Sequence, residues 1–165
     1  MNDASTLTAP VIETPTLPSS RPPAPTAPWY ANGFGWAVLA YSGLIFWLSN
    51  QSSIVAPMPF PSFDKFVHLT AYGMLGLLLS LALREQWARW GMSITATVVL
   101  LIGSLYGVSD EFHQSFVPGR QCDVWDWAAD TTGVLLAMAV YVTARRAKTR
   151  WSDRNDKGLS ADKDR

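Results

Sequence analysis

The sequence has one cysteine, Cys122, and two histidines, His68 and His113. A lone cysteine excludes an intrachain disulfide and leaves the redox compartment open. Charge is scarce: charged residues make up 16% of the chain and the net charge is zero. There is thus no global argument for a nucleic-acid partner. No HExxH or paired-histidine spacing is present, and no serine-nucleophile motif, P-loop or dinucleotide fingerprint. Nothing therefore calls for a cofactor. No basic run stands beside an apolar core near the start, so no signal peptide is expected. No internal repeat is evident.

What the chain has is apolar mass in blocks. Hydrophobic residues make up 48% of its 165 residues, a length that suits one domain. Block patterning of this kind reads as a polytopic membrane protein. The eight tryptophans and five tyrosines largely flank the blocks, as interfacial aromatic belts do. Residues 1–28 differ: they hold seven of the eleven prolines and little apolar mass. They are expected to be a disordered tail with polyproline II character.

Four blocks follow, each roughly one hydrocarbon thickness long at about 1.5 Å per helical residue. Backbone groups in lipid must be bonded internally, so the blocks are expected to be helices. The expected fold is an all-α, four-helix transmembrane bundle with helices near 34–49, 65–83, 91–112 and 124–144. Pro57, Pro59 and Pro61 deny helix to the first connection. Asp64 sits where a cap for the second helix should be. Residues 145–165 are charged, lack apolar periodicity and read as a separate tail.

Arg84 and Arg89 lie between helices two and three, and Arg145, Arg146, Lys148 and Arg150 follow helix four. The positive-inside rule then puts both termini in the cytoplasm. Lys65 and Arg120 are the cations near the opposite face.

On that opposite face lies the unusual feature. Asp64, His68, Asp110, Glu111, Gln114, Asp126 and Asp130 all fall at one end of their apolar segments. An ionisable group inside a membrane costs on the order of 2.5–3.5 kcal/mol on the lenient insertion scale, so it usually faces protein or water. Asp64, His68 and Tyr72 recur every four residues, a single helix stripe that Gly76 continues. Gly103, Gly107, Glu111 and Gln114 share a face of helix three. Asp123, Asp126, Asp130, Gly133 and Ala137 share one on helix four. Packing these faces together gives a polar outer pocket above a close-packed inner part. His113 falls off this face and Asp110 is expected to be solvated.

The carboxylates differ. Asp64, Asp123 and Asp126 lie near helix N-termini, where the dipole favours an anion, and Glu111 lies near a C-terminus, where it does not. Carboxyls in contrasting environments are what acid–base chemistry uses. Glu111 and His68 are therefore the candidate proton-transfer groups. Lys65 and Arg120 are expected to hold a phosphate, and Arg120 to reach Glu111 or Asp123. Tyr72, Gln114, Asp64, Asp123, Asp126 and Asp130 complete the candidate binding set. His68 with Glu111, Asp126 or Asp130 offers mixed nitrogen and oxygen ligands, but the spacing is a weak metal signal and no metal is assigned. The alternative is a structural network that only holds the helices together.

The segments DKFVHLTAYGMLG (Asp64 to Gly76) and SLYGVSDEFHQSFVPGRQCDVWDWAADTTG (Ser104 to Gly133) resemble the VanZ-like family of small bacterial membrane proteins. Asp64, Lys65, His68, Tyr72 and Gly76 match the first family motif. Tyr106, Gly107, Asp110, Glu111, Gln114, Phe116, Gly119, Arg120, Asp123, Asp126 and Gly133 match the second. One departure is Asp130, where the family pattern has Asn: an acid replaces an amide donor. The resemblance implies a four-helix protein of the bacterial inner membrane. The family's name comes from a protein associated with resistance to teicoplanin, a lipoglycopeptide that acts on cell-wall precursors at the outer membrane face. Membrane lipids, an envelope lipid, a cell-wall precursor or a lipoglycopeptide are the partners this implies. It leaves the oligomeric state open.

Overall fold

The computed structural model describes residues 32–52 and 62–163, with side chains as far as 155. The expectations for residues 1–28 and for the proline-spaced connection fall outside the described residues. The described residues are all helical: α1 (Gly33–Ser49), α2 (Phe63–Ala82), a one-turn α3 (Gln86–Arg89), α4 (Met92–Gln114) and α5 (Val124–Lys163). Three are long and apolar enough to cross a membrane, over Phe63–Ala82, Met92–Gln114 and Val124–Asn155; α1 is apolar but shorter.

Two boundaries differ from expectation. The fourth helix does not stop near 144 but continues to Lys163. No proline or glycine lies between residue 144 and Gly158, and Arg, Lys and Ala are good helix formers, so loss of apolar periodicity alone does not end the helix. Asp64 does not cap α2 either. Ser62 occupies the cap position with a left-handed backbone (φ 62°) and no side-chain cap bond. Asp64 lies inside the first turn, where its charge suits the helix dipole. By contrast, Asn32 does cap α1: its side chain accepts from the Gly35 N–H at 3.2 Å. The same side chain donates to the Ala82 carbonyl at 3.0 Å, tying the start of α1 to the end of α2.

The core is centred on Val134 of α5, which is fully buried. It sits where Gly76 of α2 and Gly103 of α4 have no side chain. A Cβ on Gly76 would lie 2.8 Å from the Val134 Cα, and one on Gly103 would lie 2.7 Å from its Cγ2. Small residues let helix backbones approach in lipid, where packing rather than water drives association. Gly133 carries this furthest: its added Cβ would collide with the Leu69 carbonyl and stand 2.8 Å from the Gly73 nitrogen. The α2–α5 interface is the most extensive in the bundle. Around this centre pack Tyr72, Leu75, Leu79 and Val99. Trp36, Phe46, Leu105, Phe112 and Val140 are exposed, as suits an apolar solvent.

Polar bonds inside the bundle are mostly satisfied locally or across one neighbour. The Tyr106 hydroxyl donates to the Ser42 carbonyl at 2.6 Å, joining α4 to α1. Ser104 and Thr131 join α4 to α5 at 3.0 Å. The Trp87 indole donates to the Ser80 carbonyl at 3.1 Å and packs on Tyr141, which anchors the α3 turn.

Backbone cannot yield to a side chain at residue 133. Gly133→Ala is expected to lower stability by roughly 1–3 kcal/mol or more, whereas Gly43→Ala, with nothing within 4 Å of the added carbon, should be neutral or slightly stabilising. Thermal unfolding of both variants in detergent checks this; equal melting temperatures would sink the packing argument.

Candidate functional site

The glycine-lined contact between α2 and α5 fixes what lies one to two turns above it. His68 is one turn before Tyr72 on α2, and Asp130 is one turn before Val134 on α5. The two meet: His68 Nδ1 and Asp130 Oδ1 share a hydrogen bond of 3.0 Å. Gly107 on α4 makes room for this pair, since a Cβ there would stand 3.1 Å from Asp130 Oδ2. The face of α4 bearing Gly103 and Gly107 then turns Asp110, Glu111 and Gln114 inward, and all three are buried. Glu111 Oε1 lies 3.9 Å from His68 Nδ1, and Asp126 Oδ2 lies 4.0 Å from His68 Nε2. One imidazole thus faces three carboxylates.

Gln114 donates to Asp110 at 3.2 Å and to Glu111 at 3.5 Å. The second Glu111 oxygen accepts the backbone N–H of Asp123 at 2.8 Å. That bond fastens the end of α4 to the start of α5. At the mouth, the Lys65 ammonium donates to Asp64, Asp123 and Asp126 at 3.0, 2.9 and 2.8 Å. Lys65 and the Trp125 backbone N–H hold the Asp123 carboxyl below the usual carboxylate range.

Two cavities with shared lining residues open here. A polar vestibule of about 440 Å³ is lined by Asp64, His68, Gln114, Arg120, Asp123 and Asp126, among others. A smaller inner cavity of about 90 Å³ reaches between α1, α2 and α4 past Ile45, Leu48, Val67, Tyr72 and Asp110. His68, Gln114 and Arg120 line both.

The candidate residues therefore gather at one end of the bundle, with three departures from expectation. Arg120 does not reach Glu111 or Asp123. Its guanidinium donates to the Gln51 and Leu48 carbonyls at 3.3 and 3.5 Å. These groups lie at the C-terminal end of α1, where carbonyls lack helical partners and carry negative dipole charge. Lys65 takes the carboxylates instead, which leaves it bound within the acidic mouth rather than set to hold a phosphate. Asp110 is not solvated but 4% exposed. The signal was present: Gly107, Asp110 and Gln114 share a face at spacings of three and four. The walls supplied by α1, Ile45 and Leu48, gave no sequence signal. His113 stays out of the site, stacked on Phe46 of α1 with ring centroids 4.5 Å apart.

This architecture defines a small helical membrane protein with a buried acid–imidazole cluster at one end. The VanZ/LLP1 family model matches residues 29–145, and the chain belongs to that family. No curated protein and no solved structure matches it.

The mouth tie has a definite pH dependence. Asp123 ionises more readily in the folded chain, so its contribution is full above the ordinary carboxylate pKa of about 3.9. It is lost as pH falls through the lower folded value. Asp123→Asn should therefore make stability fall less steeply below about pH 4; an unchanged acid limb in detergent unfolding would contradict the tie. Lys65→Met, which leaves three carboxylates facing one another, should cost about 1–2 kcal/mol, between the exposed and buried ranges for ion pairs.

Proposed function

We propose that this protein binds the phosphate headgroup of an envelope lipid or lipid-linked cell-wall precursor at the vestibule. The observation that carries this is the lining of the paired cavities. One side is apolar, with Ile45, Leu48 and Val67, and the other is polar, with His68, Gln114 and Asp110. An amphipathic ligand whose headgroup meets its chain at the membrane surface matches that division. Arg120 lies at the junction, and two carbonyl bonds occupy only part of its five-donor fork. The remainder suits phosphate oxygens. Glu111 and His68 are the groups that would move a proton if the ligand is also modified.

In this reading all four long helices cross the inner membrane. At about 1.5 Å per residue the 17 residues of α1 reach about 26 Å, within the few ångströms of mismatch that a bilayer accommodates. Both termini lie in the cytoplasm and the vestibule opens outward. The motive is charge: Arg84 and Arg145 meet at the end opposite the vestibule, where Arg145 Nη1 donates to the Arg84 carbonyl at 2.8 Å. Trp87 is buried, so the probe is its exposed neighbour Ala88: with the exposed Cys122 replaced by serine, Ala88→Cys should label only from the cytoplasmic side, and labelling from the outside would reverse the orientation.

Ligand binding is tested with a fluorescent polyprenyl phosphate against the uncharged polyprenol, using the full chain in detergent. The phosphate should bind tighter, and Arg120→Gln should weaken it by about tenfold, near 1.4 kcal/mol. Equal binding of the two lipids would remove the proposal. Glu111→Gln should keep the fold, because the amide preserves shape and accepts the Asp123 N–H, and should abolish any proton-transfer activity. Glu111→Leu should damage the fold by leaving that N–H and Gln114 unsatisfied.

A further inference from the structure

The inner part of the site holds more acidic groups than cationic ones among the described residues. At the mouth Lys65 serves Asp64, Asp123 and Asp126. One to two turns deeper, Asp110, Glu111 and Asp130 are 4%, 3% and 0% exposed. The sole cationic partner of this deeper group among the described residues is His68, and Arg120 is turned to the α1 carbonyls. One imidazole therefore stands among three buried carboxyl groups. An uncompensated charge in lipid is expensive, and several together more so.

Three buried polar atoms at this depth make no hydrogen bond within 3.5 Å among the described residues: Asp130 Oδ2, and Asp110 Oδ1 and the Tyr72 hydroxyl, whose side chains face each other. Native structures leave few such atoms, and each one needs an explanation. Asp110, Tyr72 and His68 line the inner cavity, and Glu111 and Asp130 adjoin it through His68, 3.9 and 3.0 Å from its Nδ1.

The geometry points to a divalent metal ion held by His68, Glu111 and Asp130. One ligand atom from each lies within 4.8 Å of the others. His68 Nδ1 is 3.0 Å from the nearer Asp130 oxygen and 3.9 Å from the nearer Glu111 oxygen. Donors about 2.0–2.2 Å from a common ion stand roughly 3–4 Å apart, so small side-chain rotations close the set. One imidazole with two carboxylates suits first-row divalent ions rather than calcium, and three protein ligands leave positions open. Gln114, hydrogen-bonded to Glu111, and the Asp123 N–H, on its other oxygen, are the outer partners that orient that ligand. This inference rests on the phosphate-headgroup reading only for its use: an ion there would bridge the acidic wall to a phosphate that the same wall otherwise repels.

The test uses the full chain in detergent, stripped with a chelator and dialysed against Zn²⁺ or Mn²⁺ with no lipid ligand added. One ion per chain is expected, with Zn²⁺ tighter than Mn²⁺. Asp130→Asn and Glu111→Gln are near-isosteric and their folding is checked by thermal unfolding without metal. Each should weaken binding by at least about tenfold, the loss that even an outer partner's removal produces. Asp153→Asn, on the exposed part of α5, should bind as the parent does. Zn²⁺ should also raise the melting temperature of the parent and not of Asp130→Asn. No ion bound by the parent, or parent-like affinity in both site variants, overturns the inference. Metal bound without any preference for polyprenyl phosphate over polyprenol refutes the headgroup reading alone. Phosphate preference without metal refutes the metal alone.

Discussion

Everything in the polar site hangs on how closely α2 and α5 approach. Gly133 lies against the Leu69 carbonyl and the Gly73 nitrogen, and Val134 fills the gaps at Gly76 and Gly103. In lipid no hydrophobic effect presses helices together, so contact of this kind must come from shape. Once it is made, helical periodicity leaves little freedom one turn further up. His68 and Asp130 are each four residues from a packed position and are brought within 3.0 Å. A larger side chain at Gly76 or Gly133 would separate α2 from α5 and with them the imidazole and its carboxylate.

The same contact explains why the two ends of the bundle differ in character. Towards the basic end the interior carries no charge among the described residues, with Leu75, Leu79, Leu83 and Trp87 beside Ser80 and Thr95, and cations lie outside it near Arg84 and Arg145. Towards the acidic end the interior itself carries charge. Lys65 and the Asp123 N–H close that end by joining α2 and α4 to the start of α5. Arg120 plays a different part from the one its sequence neighbourhood suggests. It ties down the C-terminal end of α1 through carbonyls, so α1 becomes a wall of the cavity.

Much of this was legible before any coordinates. Block length and backbone satisfaction fix helix type and approximate position, because lipid allows few alternatives. The spacing of three and four assigned His68, Glu111, Gln114, Asp126 and Asp130 to facing stripes, and the structure brings those stripes together. The misreadings concern residues whose partners come from elsewhere in the chain. Periodicity says which way a helical residue points but not what a loop residue reaches, so Arg120 was paired with the wrong acceptors. Lys65 reads as a ligand-binding cation in the sequence because two of its three acids, Asp123 and Asp126, stand about sixty residues away at the start of α5. Asp110 is a different case: it belongs to the polar cluster by position, and its spacing from Gly107 and Gln114 puts it on the buried face rather than in solvent. The length of α5 was missed because a charged helix leaves no hydrophobic period once it passes out of the apolar core.

The pattern of satisfied and unsatisfied groups bears on whether the polar cluster is only an adhesive. Where this bundle needs adhesion it uses small, fully paired groups: Ser104 with Thr131, Tyr106 with the Ser42 carbonyl, Trp87 with the Ser80 carbonyl. Those bonds join helices at little cost in charge. Asp110, Glu111 and Asp130 are costlier to bury than any of these, and two of them leave a carboxylate oxygen with no hydrogen bond within 3.5 Å among the described residues. A network selected only to hold helices together gains nothing from carboxylates it does not satisfy, since a half-satisfied polar cluster is worse than an apolar one. The helices already pack through Gly133 and Val134 without it. What such groups supply is unused coordinating and hydrogen-bonding capacity, held in a fixed geometry beside a cavity. That capacity supports a reading of the cluster as a site.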